Sequence, residues 1–114
     1  MRAILSAALA FALAGPAAAQ SEEFYKGKTV TILVGFSPGG GFDVNARLLA
    51  RHIGKHIPGR PEVIVSNMNG AASLTAVQYL DTRAPKDGTV IDTFNFGLIA
   101  DSILFPERVK ADFR

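Results

Sequence analysis

Cysteine is absent from the 114 residues. Also missing are an apolar run of membrane-spanning length, a cluster of Lys or Arg, and a capped helix or closing strand at the C-terminal end. Without cysteine there are no disulfides, so stability has to come from a packed core. A lipid-anchored lipoprotein is argued against as well, because no cysteine follows the apolar N-terminal stretch. A spanning helix needs about 20 apolar residues, whereas the stretch that starts at Ile4 is broken by Gly15-Pro16. The chain carries 12 Lys plus Arg against 10 Asp plus Glu, and without Arg2 it is nearly neutral. That balance gives no nucleic-acid footprint and no membrane-surface footprint.

The N-terminus reads as an export signal. Arg2 supplies a short positive region, Ile4 to Ala14 an apolar core, and Ala17-Ala18-Ala19 the small residues before a cleavage point. A cleavable signal peptide over residues 1–19 is expected, with the mature chain starting at Gln20. Residues 20–114 can bury a small core but fall short of a usual two-domain protein. The polar ending, from Phe105-Pro106 to Arg114, reads as a truncation.

The most informative stretch is residues 29–43, TVTILVGFSPGGGFD. Thr29 to Val34 is apolar and β-branched nearly throughout, as in a strand covered on both faces of a parallel sheet. Pro38 ends it. Gly39, Gly40 and Gly41 permit a sharp turn and close approach of N–H groups to a ligand. A helix then starts near Phe42, and its first-turn N–H groups favour a carboxylate or phosphate. The first helix is predicted over 42–56, stopped by Pro58-Gly59, with Phe42, Ala46, Leu49 and Ile53 inward and Asn45, Arg47, Arg51 and Lys55 outward. Asp43 falls in its first turn, favourable to the helix dipole.

Strands are predicted over 62–66 and 89–93, and helices over 71–81 and 98–104. The alternation of strand and helix specifies an α/β fold with a parallel sheet between helical layers. Ligands of such sheets bind at the carboxyl ends of the strands. Three loops qualify, 37–43, 67–73 and 95–97, all rich in Gly, Asn or Ser, which suits an oxygen-rich small molecule.

Competing chemistries can be weighed by spacing. After Gly35-x4-Gly40 come Gly41-Phe42 instead of Lys and Ser/Thr, so a phosphate loop is broken. Val44 stands where a dinucleotide fingerprint needs its third glycine. His52 and His56 have the i, i+4 spacing of metal ligands, but they lack the adjacent Glu and sit beside Arg51 and Lys55. Solvated helix-end histidines are the better account, and no metal or cofactor is expected. Neither Ser37 nor Ser73 lies in Gly-x-Ser-x-Gly, so hydrogen bonding or capping suits them better than nucleophilic attack. Asp43, ionised at a helix N-terminus, suits an orienting charge better than a general base. Asn67, Asn69 and Asn95 are open to both turn and ligand roles.

Four blocks in order, FSPGGGFD (36–43) with ARLLA (46–50), NMNGAAS (67–73) and APKDGT (84–89), resemble the Bug family of periplasmic solute-binding receptors of tripartite tricarboxylate transporters. The resemblance implies a type II periplasmic-binding-protein fold and a role in transport: two α/β domains close on a small carboxylate and deliver it to a membrane permease. Residues 20–114 would be the N-terminal part of domain 1, with the second domain absent. By position, the resemblance implies that the ligand meets Phe36, Ser37, Gly39, Gly40, Gly41, Asp43, Asn67, Gly70, Ala71 and Ser73, partly through ordered water. It implies a monomeric, periplasmic binder, with no nucleic acid and no catalysis. One departure stands out: where the family commonly has Pro-Gly-Ala-Gly, this chain has Asn69-Gly70-Ala71-Ala72. Two readings stay open beside it. One is an exported α/β enzyme acting on an anionic substrate through Asp43 or His52; the other is a non-functional fragment.

Overall fold

A computed structural model describes residues 24–113. The expected signal peptide, 1–19, lies outside them. The chain builds a three-stranded parallel sheet from β1 (Thr29–Val34), β2 (Glu62–Asn67) and β3 (Val90–Thr93), in the order β2-β1-β3. Between the strands run α1 (Gly41–Ile53) and α2 (Leu74–Thr82), and α3 (Gly97–Leu104) follows β3.

β1 is central because it is the most uniformly apolar strand. Val30, Ile32, Leu33 and Val34 are all buried, Val34 completely, as a strand covered on both faces requires. Ile32 pairs with Val65 on one side and Ile91 on the other. Side chains alternate between faces along a strand, so Ile32, Val34, Val65 and Ile91 share one face. α1 packs there, through Ala46 and Ala50, on Ile32, Val34, Val63 and Val65. The opposite face carries Leu33 and Asp92. There Val77 of α2 and Leu98 of α3 form a second cluster with Val109, Leu74, Phe94 and Phe113.

The predicted strand over 29–34 is observed as such. α1 ends earlier than expected, at Ile53, and a single 3-10 turn, Gly54–His56, finishes the run before Ile57 turns extended. Packing explains the tightening: a Cβ on Gly54 would lie 2.8 Å from Pro61 O. α1 is also rotated from its predicted face. Asp43 and Ala46 are buried, whereas Phe42, Leu48 and Leu49 are exposed. Phe42 and Leu49 instead border an open apolar groove of about 490 Å³, with Ile32, Asn45, Ala46 and Thr93. α1 covers β1 and β2 but leaves β3 bare on this face, where Ile91 is 40% exposed.

The second helix departs most from expectation. Residues predicted as its first turn, Ala71, Ala72 and Ser73, have φ of 47°, 52° and 76°. This is left-handed space, which costs a non-glycine residue about 1–2 kcal/mol. The right-handed helix starts only at Leu74.

Candidate functional site

The carboxyl ends of the strands, at Val34, Asn67 and Thr93, lie side by side because all three strands run parallel. Among the glycines of the first loop, Gly39 alone needs left-handed space (φ +85°). Gly40 is in extended space with φ −78°. A Cβ on Gly40 would meet only Ser37 O, at 3.6 Å, and one on Gly41 would meet nothing within 4 Å. The expected turn thus hangs on one glycine, and Gly40 and Gly41 border open space. Gly40 N-caps α1 without a side-chain cap, and the first helical bond is Val44 N–H to Gly40 O, 2.9 Å. The N–H groups of Gly41, Phe42 and Asp43 find no partner among the described residues. Such groups carry the positive end of the helix dipole.

Asp43 is 3% exposed. Its Oδ2 accepts from Gly39 N (2.8 Å) and Arg47 Nε (2.9 Å), and its Oδ1 accepts from Asn67 Nδ2 (2.9 Å). The Arg47 guanidinium first, then the Gly39 N–H and the Asn67 amide, hold its carboxyl well below the usual carboxylate range. Asp43 is therefore a tie between loops whose oxygens already have protein donors. Asn67 completes the tie: its Nδ2 also reaches Phe36 O (3.0 Å), and its Oδ1 accepts from Arg47 Nη2 (3.1 Å). Phe36 stacks on Phe42 with ring centroids 4.3 Å apart. At the exposed rim Asn69 Nδ2 donates to Ser37 Oγ, 3.0 Å.

The structure thus joins Phe36, Ser37, Gly39, Asp43, Asn67 and Asn69, with Gly40 and Gly41 alongside. Gly70 (φ 143°) stands on the second loop, where a Cβ would lie 2.6 Å from Thr75 Oγ1. Ala71 lines a different cleft of about 270 Å³, beside Leu98, Asp101, Phe105 and Arg108. Ser73 is completely buried, and its Oγ accepts from Asn95 N, 2.8 Å. It ties the second loop to the third from inside and presents no hydroxyl to the surface. Gly35 makes room for it, since a Cβ there would collide with Ser73 Cβ.

Sequence reasoning placed Arg47 on the outer face of α1 and missed its role. The signal was present, as an Asp followed by an Arg four residues on faces it along a helix. His52 and His56 are exposed near the far end of α1. Among the described residues no cluster of three or more His, Cys, Asp or Glu could hold a metal ion, and no helix is long and apolar enough to cross a membrane.

No family model matches the chain, and no solved structure matches it significantly. It is similar to a "UPF0065 protein in tcbD-tcbE intergenic region" of Pseudomonas sp. (strain P51), 31% identical over 77% of this chain and 25% of the relative. It is also similar to a "UPF0065 protein in the TAR-I ttuE-ttuC' intergenic region" of Agrobacterium vitis, 34% identical over 80% of this chain and 25% of the relative. The chain spans about a quarter of the length of the curated relatives it matches. These UPF0065 homologues support, at the level of the family alone, the Bug-family resemblance carried by its loop motifs.

Proposed function

We propose that this chain forms part of a solute-binding protein that captures a small carboxylate for a tripartite tricarboxylate transporter. The observation that carries the reading is the meeting of the first two loops at the rim of the sheet. Ser37 and Asn69 touch there, close in sequence to a first helical turn whose N–H groups at Gly41, Phe42 and Asp43 find no partner among the described residues. A carboxylate suits such a corner, because it accepts several charge-assisted hydrogen bonds at once. Ser37, Asn69, Gly70 and the N–H groups around Gly40 and Gly41 would meet the ligand, while Phe36, Gly39, Asp43 and Asn67 hold the loops in place. The relatives' greater length is consistent with a second α/β lobe of a type II periplasmic binding protein, closing on the ligand. Residues 1–19 would direct the chain to the periplasm, where it works as a monomer and hands its ligand to the permease.

Binding without chemistry is the reading adopted. The alternative acids and bases are poorly placed for catalysis: Asp43 is ionised with both oxygens engaged, and His52 is at the opposite end of α1. The test is calorimetric titration of the full chain with succinate, citrate, benzoate and glutamate. Saturable heat with one of them, and the same ligand recovered unchanged after overnight incubation, supports the reading. Absence of saturable heat with all four refutes it, and turnover points to the enzyme.

A further inference from the structure

We propose that Arg47 is the positioning residue of this site: its guanidinium fork locks the first loop against the second and so sets the spacing of the groups offered to a ligand. The proposal deepens the carboxylate-binding reading and rests on it.

Arg47 stands one helical turn beyond Asp43, and its side chain is 47% exposed, so burial does not dictate its conformation. Two donors of one rigid plane reach two elements. Nε meets Asp43 Oδ2 at the start of α1, and Nη2 meets Asn67 Oδ1 at the end of β2. Asp43 in turn holds the Gly39 N–H, and Asn67 holds Phe36 O. The fork therefore fixes the backbone on which Ser37 rides relative to the strand end that carries Asn69. Charge adds a second effect. An uncompensated Asp43 carboxylate, so near the first-turn N–H groups, would oppose an incoming anion, and Arg47 cancels it.

The two effects separate cleanly in one substitution. Lysine keeps the positive charge but is a point donor on a flexible stem and cannot span Asp43 and Asn67 with a planar fork. If charge alone mattered, R47K would be silent. If the fork positions the loops, R47K resembles R47A.

The experiment uses the full chain as wild type, R47K and R47A, with succinate as the probe in calorimetric titration. Backbone amide exchange at Gly39 and thermal midpoints are measured alongside. The expected result is a loss of succinate affinity of roughly tenfold or more in R47K, close to that in R47A. Gly39 exchange should be faster in both variants, with exchange at Ile32 and Leu33 unchanged. A merely structural role would lower the midpoint and speed exchange throughout β1 while leaving the folded protein's affinity intact; that pattern overturns the proposal. So does R47K binding like wild type. If wild type itself binds no carboxylate, the functional reading falls separately, and Gly39 exchange in R47K still decides the clamp: unchanged exchange overturns it, faster exchange upholds it.

Discussion

Replacing Gly35 by alanine should damage the molecule well beyond what one methyl group suggests. A Cβ at this position would lie 3.0 Å from Ser73 Cα and closer still to Ser73 Cβ, whereas carbon atoms rest about 3.5–4.0 Å apart. Neither atom is the end of a flexible side chain, so the backbone of the second loop has to retreat from β1. Overpacking of this kind costs about 1–3 kcal/mol. The retreat also withdraws Ser73 Oγ from Asn95 N, a bond with a net contribution of about 0.5–1.5 kcal/mol. The expected loss is therefore about 1.5–4.5 kcal/mol. Urea unfolding followed by circular dichroism would measure it. S73G supplies the control: it removes the Cβ that collides and suits the left-handed φ of 76°, but loses the hydroxyl. In the G35A/S73G double variant the contact with Ser73 Cβ is gone and only the tight approach to the Cα of residue 73 remains, so the two costs should fall short of their sum by about 1 kcal/mol or more. A G35A variant within ~0.5 kcal/mol of wild type, or strictly additive costs, would refute the reasoning.

Asp92 has both carboxylate oxygens buried without a hydrogen-bond partner among the described residues. Burial pushes its pKa up to about 6, and the nearby Thr93 N–H only partly opposes this. The folded state therefore keeps its proton to higher pH than the unfolded state does, and stability falls as pH rises from about 4 to about 6. D92N should remove that slope and exceed wild type above pH 7 by about 1–2 kcal/mol, a figure reduced for partial solvent screening; parallel slopes in the two proteins would contradict this. Asp43 has the opposite sign. Its contribution is full above the ordinary carboxylate value of 3.8 and is lost as pH falls through its lowered folded value. The midpoint advantage of wild type over D43N should thus be constant at neutral pH and shrink only in strong acid. Gly40 has ordinary backbone angles and space for a Cβ. G40V should leave the thermal midpoint near that of wild type while removing carboxylate binding; retained affinity would move the ligand away from this loop.

The order of elements and the parallel sheet were legible because the signals are local. The apolar run of β1, Pro58-Gly59 after the first helix and the turn before β3 each announce themselves within a few residues. The rotation of α1 was not legible. Periodicity put Phe42 and Leu49 inward, but Asp43 takes a buried place because Arg47 and Asn67 satisfy it, and Asn67 arrives from a distant strand. The burial of Ser73 was not legible for a similar reason. Nothing near it in sequence reveals that Gly35 and Asn95 close over it. Helix propensity favours Ala71 and Ala72 in a right-handed turn, yet both stand exposed in left-handed space. The loops themselves were found as binding candidates from their composition, while the division of labour within them came from contacts that sequence spacing does not encode.

The strand order has a temporal consequence. β2 and β3 never pair with each other; each pairs only with β1, and Thr31 must wait for Val90. No hairpin can start the sheet, so every pairing requires closure of a long loop, which slows folding relative to helix formation. The most apolar strand is synthesised first and waits longest for its second neighbour. During that interval TVTILV is an unpaired β-rich segment without charge, of the kind that aggregates. Escape from misassembly then rests on how quickly α1 folds down over it.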